Sequence, residues 1–211
     1  MTYGFLDIIS TPANEMIQAQ WGSRDYFEHF SGDRKFDRFT PEIAEFIVQR
    51  DTFFIATISE NGWPYVQHRG GPRGFVKVLD DRTLAFADYR GNQQYLSSGN
   101  IASGGRAALI MVDFVRCRRL KILALAELLE LGDDPSLIER VSDPSYKATI
   151  ERAMVLHLEA YDLNCPQHIV QRFGTEELAE RTRLLEDRVA LLERENAALR
   201  SATAPATHPP N

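Results

Sequence analysis

Few residues in this chain have the types and spacing that chemistry demands. Gly70-Gly71-Pro72-Arg73-Gly74 is glycine-rich, but it lacks the Gly-Lys-Ser/Thr ending that places a phosphate-binding lysine and a magnesium ligand. No Gly-x-Ser-x-Gly occurs, so nothing marks an activated serine. His68 and His168 stand without spaced partners, a pattern more often structural than metal-ligating. Cys117 and Cys165 have neither zinc spacing nor a redox Cys-x-x-Cys, and two cysteines cannot make a disulfide framework. The usual motifs of hydrolysis and phosphoryl transfer are therefore absent. What stands out is a basic cluster, Arg116-Cys117-Arg118-Arg119-Leu120-Lys121, in a chain whose net charge is −6. That overall charge argues against a general nucleic-acid binder.

The elements that must position these residues are legible in outline. At 211 residues the chain can form one main domain with an appendage. No apolar run is long enough for a membrane span, and Met1-Thr2-Tyr3-Gly4-Phe5-Leu6-Asp7 lacks the basic start and apolar stretch of a secretory signal. No membrane association and a cytoplasmic location are expected. Residues 1–51 read as a helical segment packing on the main domain. Within it, Ala13 to Trp21 suits a short helix, and Thr40-Pro41-Glu42 opens a clearer one with Ile43, Phe46 and Ile47 on a single face.

From Thr52 the pattern changes to short runs of β-branched and aromatic residues. Phe53 to Ser59 and Trp63 to Arg69 flank Asn61-Gly62, whose residues favour the positive φ angles of a tight hairpin. Phe75 to Leu79 and Thr83 to Ala87 form a second hairpin, followed by strands at Ala107 to Asp113, Arg119 to Leu131 and Val155 to Leu163. A short helix is expected around Pro135 to Val141. The reading is an α+β chain, mainly β with helices, whose six or seven antiparallel strands make a barrel or sandwich over residues 52–174.

Residues 175–200 follow another period. Leu178, Leu185, Leu192 and Leu199 recur every seven residues, with Thr182, Val189 and Asn196 at the second inward position of a coiled-coil seam. Such a helix pairs between chains or packs its leucines on its own domain. The proline-bearing tail, 201–211, is expected to be disordered.

The ordered strands carry a resemblance. Phe54-Ile55-Ala56-Thr57-Ile58, Asn61-Gly62-Trp63-Pro64-Tyr65-Val66, Thr83-Leu84-Ala85-Phe86-Ala87-Asp88 and Arg106-Ala107-Ala108-Leu109-Ile110 resemble successive strands of the pyridoxamine 5′-phosphate oxidase-like family, over roughly residues 40–165. Gln67-His68-Arg69-Gly70-Gly71-Pro72 and Asn164-Cys165-Pro166-Gln167-His168-Ile169 look like an uncharacterised branch of it. The resemblance implies a split β-barrel binding FMN at the interface of a homodimer. It points to contacts from Arg69, from Phe75, Val76 and Lys77, and from Asp88, Arg90, Asn92 and Gln93. Arg69 and Lys77 can supply charge to the flavin phosphate, and glycine allows close backbone approach to an anion. Arg119 falls where the family reaches the flavin from the second subunit, whereas Arg116 and Arg118 suit exposed hairpin positions equally well.

Gln167 and His168 lie on the family's substrate side; His168 either donates to a flavin or substrate oxygen or caps the turn at Pro166. Gln171-Arg172-Phe173-Gly174 stands where vitamin B6 oxidases of the family carry Arg-x-His, which points away from that substrate. The implied function is an FMN-dependent oxidoreductase acting on a small organic molecule, in which the cofactor carries the electron chemistry. The alternatives are a non-catalytic module binding flavin, deazaflavin or haem, and a scaffold whose helix recruits a partner.

Overall fold

The structure is a computed structural model, and it describes residues 4–29, 36–164 and 167–203. The chain divides into two compact units, residues 1–169 and 170–211. The first opens with three short helices, α1 (Gly4–Ile9), α2 (Pro12–Gln20) and α3 (Arg24–Glu28), followed by α4 (Pro41–Val48). α4 forms where the local chemistry requires it: Thr40 Oγ1 accepts from Ile43 N–H at 3.3 Å, Pro41 occupies the first turn, and Ile43, Phe46 and Ile47 are buried.

Seven strands follow: β1 (Thr52–Ile58), β2 (Pro64–Gly70), β3 (Lys77–Val78), β4 (Thr83–Tyr89), β5 (Arg106–Asp113), β6 (Arg118–Glu130) and β7 (Ile150–Asn164). Helix α5 (Leu96–Gly104) lies between β4 and β5, and α6 (Pro135–Val141) between β6 and β7. The sheet runs β2-β1-β5-β6-β7-β4-β3 with every pairing antiparallel, so the expectation of an α+β chain with six or seven antiparallel strands holds, at seven. Among the described residues, no helix is long and apolar enough to cross a membrane.

One main core fills the unit, with Ile47, Phe53, Ile55, Phe86, Met111, Leu120, Ile122 and Leu156 almost wholly buried. Phe53 stacks on Phe75 at 5.7 Å and meets Phe86 edge-on at 5.2 Å, geometries that add to simple area burial. A smaller cluster beneath α6 joins Leu137 and Val141 to Ala85, Ala87, Ala153 and Val155.

Three local departures from the expected pattern have physical causes. Of Asn61 and Gly62, only Gly62 takes a positive φ (+86°), because the turn closes with Gly62 N–H on Ser59 O and Ser59 N–H on Trp63 O, a longer loop than a two-residue hairpin. β3 keeps only Lys77–Val78, since Phe75 N–H is committed to Pro72 O and Leu79 N–H closes the hairpin on Thr83 O. β7 begins at Ile150 rather than Val155; its first residues, Glu151 and Arg152, are charged because they face a polar cleft rather than the core.

The glycine-rich segment is a packing device. Gly71 N–H bonds to Asp51 O and Gly74 N–H to Arg50 O, and a Cβ on Gly71 would lie 2.8 Å from Phe75 Cγ. The close backbone approach made here is to Phe75, deep in the core. At the far end of the strands, the buried Asp113 carboxylate pairs with Arg50 at 3.1 Å and Arg116 at 3.2 Å, and accepts the Arg116 N–H at 2.9 Å. Burial alone would raise the Asp113 carboxyl, but the Arg116 N–H and the charges of Arg50 and Arg116 outweigh it and hold the group below the usual carboxylate range.

Gly71→Ala is expected to cost about 1–3 kcal/mol through overpacking against Phe75. Gly132→Ala, whose added Cβ meets nothing within 4 Å, should leave stability nearly unchanged. Thermal unfolding of the two variants checks the contrast. Because Asp113 is depressed in the folded chain, its contribution is complete above the unfolded value of roughly 3.9 and is lost as pH falls through the folded value. Asp113→Asn should therefore cost about 2 kcal/mol at neutral pH, with the gap to wild type narrowing as the pH falls below the unfolded value, as read by urea unfolding at each pH.

Candidate functional site

β2 is a strand whose inward side is polar. Its two-residue period turns Tyr65, Gln67 and Arg69 to one side, half-buried, while Val66 and His68 face the other way and are exposed. His68 is held by Thr52, with Nε2 2.6 Å from the hydroxyl, and by an edge contact with Phe54, consistent with a structural histidine. The polar side of β2 borders a cleft of about 280 Å³ that also involves the end of β4, the 90–95 loop, the start of α5 and Glu151 of β7.

The floor of this cleft is an ion pair. Arg69 Nη1 lies 2.8 Å from Asp88 Oδ1, and both side chains are largely buried. Ser98 Oγ donates to the second Asp88 oxygen at 3.4 Å, and Arg152 approaches that oxygen at 3.9 Å. A β-bulge supplies the adjoining acid: Asp88 pairs with Arg152 and Tyr89 with Ile150, so Glu151 is the additional residue and is redirected. Glu151 accepts from Arg90 Nε at 2.9 Å and from Tyr95 Oη at 3.1 Å. The Arg90 hydrogen bond chiefly holds the Glu151 carboxyl below its ordinary range, while desolvation and the Glu151 bond raise the Tyr95 phenol, which stays a donor at neutral pH.

The loop into α5 holds two strained residues. Gln93 and Tyr95 are non-glycine residues with φ of 58° and 51°, a conformation that costs energy and tends to be kept at functional sites. Tyr95 occupies the N-cap position but makes no side-chain cap, so the first N–H groups of the nine-residue α5 lack that partner. Arg69 and Ser97 line the cleft and Arg152 lies over the Tyr95 ring at 5.3 Å; Arg69 Nε, Ser97 Oγ and Arg152 Nε are each buried without a hydrogen-bond partner. Leaving such donors unmade costs free energy. Among the described residues, no three His, Cys, Asp or Glu side chains gather as a metal site.

Of the residues expected from the sequence, Arg69, Asp88, Asn92 and Gln93 line the cleft, and Arg90 reaches it through Glu151. Lys77 does not; its ammonium donates to Gly74 O at 2.8 Å. Phe75 and Val76 are 2% and 0% exposed in the hydrophobic core, so their side chains take no part in the cleft. Arg119 pairs across to Asn164, whereas Asp88 pairs with Arg152, which puts Arg119 and the cleft at opposite ends of β7. Gln167 and His168 are exposed, His168 with φ of 64°, while Cys165 and Pro166 lie outside the described residues, as do 204–211 of the expected tail. Tyr65, Gln67, Ser97, Ser98, Glu151 and Arg152 were missed. The alternation Tyr65-x-Gln67-x-Arg69 could have revealed the polar side of β2; no sequence signal announces the bulge at Glu151.

Several solved structures resemble this chain at low identity. HupZ from Group A Streptococcus is 17% identical over 64% of this chain and 99% of its own, with a TM-score of 0.49. An FMN-binding protein from Syntrophomonas wolfei subsp. wolfei is 12% identical over 72% and 97%, at 0.45, and an F420 reductase is 20% identical over 58% and 98%, at 0.41. No match was found among curated proteins. The family comparison is more decisive, because the family model for pyridoxamine 5′-phosphate oxidase matches residues 39–162, from the residue before the Thr40 cap to near the end of β7. A match over more than half of the chain, enclosing all seven strands almost completely, makes this protein a member of the pyridoxamine 5′-phosphate oxidase family.

Proposed function

We propose that the protein binds FMN with its phosphate in the cleft between β2, β4 and α5, and acts as a homodimeric FMN-dependent oxidoreductase on a small organic substrate. The observation that carries this reading is that Arg69 Nε and Ser97 Oγ, on residues lining the cleft, and Arg152 Nε, beside Tyr95, are buried without a hydrogen bond, next to a helix start with no side-chain cap. A phosphate monoester offers the oxygens and the charge that these donors need. Asp88 and Glu151 do not repel it outright: Asp88 is neutralised by Arg69 and Glu151 by Arg90, and each carboxylate fixes the orientation of its arginine. FMN, when bound, supplies the electron or hydride transfer itself. The residues of the chain hold its phosphate, align Tyr95 and Glu151 at the rim, and need contribute no acid or base.

Two features support the homodimer. β1 and β5 are apolar on both faces, with Phe54, Ile58 and Val66 of β1 and β2 left 43%, 52% and 60% exposed. Strands of that kind are ordinarily covered on both sides. Arg119 has a buried Nε without a partner, far along β7 from the cleft of its own chain, so a second copy is the natural source of a ligand for it.

Ser97→Ala is expected to weaken FMN binding about tenfold, and Arg69→Ala a hundredfold or more, from the loss of hydrogen bonds to a charged group. Quenching of flavin fluorescence on titration measures both, and titrations with a deazaflavin and with haem separate the cofactor alternatives. Unchanged affinity in Ser97→Ala with native circular dichroism contradicts the phosphate assignment.

If the site is shared, mixing unfolded Arg69→Ala and Arg119→Ala chains and refolding them together should recover FMN binding in the heterodimer. One of its two sites then carries both arginines. If each site belongs to a single chain, Arg119→Ala alone keeps its FMN affinity and mixing adds nothing.

A further inference from the structure

The second unit carries a surface that the cleft does not explain. Helix α7 (Thr175–Thr203) is a 29-residue, largely polar helix with a seam of aliphatic residues interrupted at Thr182 and Asn196. Leu178, Leu185, Val189, Leu192 and Leu199 are between 41% and 67% exposed. A helix that leaves five aliphatic residues on one line in water loses most of the free energy that normally stabilises an amphipathic helix.

We infer that α7 pairs in parallel and in register with α7 of a second copy of this chain, forming a two-stranded coiled coil. The charges beside the seam choose the partner and the direction. With the leucines at d and Thr182, Val189 and Asn196 at a, Arg181, Arg188 and Glu195 fall at g, and Glu186, Glu193 and Arg200 at e. In a parallel pair each g residue meets the e residue of the next heptad on the other helix. Arg181 then faces Glu186 of the other copy, Arg188 faces Glu193, and Glu195 faces Arg200, so every flanking pair is attractive. An antiparallel pair would instead set the edge bearing Glu186 and Glu193 against the same edge of the other copy, like charge on like charge.

Asn196 at an a position adds a second preference. Its amide can bond to the same residue of the other copy only when the helices are parallel and unslipped, the role that a single a-position asparagine plays in fixing register. Leu184 and Leu191 stay outside the seam at c. The pairing involves the second unit alone and holds whether or not the cleft takes a flavin.

The test uses the full chain with Cys117 and Cys165 replaced by serine, and single cysteines introduced by Thr182→Cys, Asn196→Cys or Asp187→Cys. Under mild oxidation, Thr182→Cys and Asn196→Cys are expected to give disulfide-linked dimers, and Asp187→Cys, at f on the outer side, only monomeric chains on denaturing gels. Absence of links at 182 and 196 overturns the proposal, whether the helix stands alone, runs antiparallel or covers a different protein. Links of equal yield at 187 overturn it too, since they would reflect mere proximity. As a second measurement, Arg181→Glu with Arg188→Glu should abolish linking at 196, and adding Glu186→Arg with Glu193→Arg should restore it. FMN titration of the same variants reads the cleft independently, so failure of the helix pairing and failure of the flavin assignment are separately visible.

Discussion

The buried pair of Arg69 and Asp88 is the interaction on which the site depends. β2 lies at one end of the strand order and β4 next to the other, so the 2.8 Å contact joins side chains from opposite limits of a single coiled sheet. Removing Arg69 would leave the largely buried Asp88 carboxylate to Ser98 and the more distant Arg152. With Nη1 committed to Asp88, Nε of Arg69 is buried without a hydrogen-bond partner, in a cleft that Ser97 also lines.

Everything else at the cleft is arranged around that constraint. The bulge in β7 turns Glu151 to meet Arg90 and Tyr95, and Arg152 lies over the Tyr95 ring at 5.3 Å. These contacts fix Tyr95, a left-handed residue that stands at the N-cap of α5 without making a side-chain cap. A site that keeps buried donors unmade and backbone strained is less stable than a filled core would be. Such losses are tolerated where a ligand recovers them.

The parts of the fold that were legible rest on local signals. Helix α6 follows Asp134, whose carboxylate accepts Leu137 N–H, and Pro135, and so begins at Pro135 as read; α4 follows Thr40 and Pro41 in the same way. β1 and β5 declare themselves by runs of β-branched and aliphatic residues. The site was harder to read because its residues belong to elements whose meeting is tertiary. Ser97 and Glu151 are unremarkable in sequence and become donor and acceptor only through a helix start and a bulge. Phe75 and Val76 show the converse: the segment resembles a cofactor-contacting strand, but packing against Phe53 and Phe86 commits its aromatic side chain to the core. The heptads of α7 were legible because seven-residue periodicity is a property of the sequence itself, independent of what the helix meets.

The central claim is that phosphate recognition at Arg69, Ser97 and the start of α5 carries cofactor binding. It is tested most directly by comparing the dissociation constants of FMN and riboflavin, which differ by the phosphate alone, on the wild-type protein in phosphate-free buffer. FMN should bind at least a hundredfold more tightly, about 2.7 kcal/mol, with inorganic phosphate competing against FMN and not against riboflavin. Equal affinity for the two flavins would contradict the account.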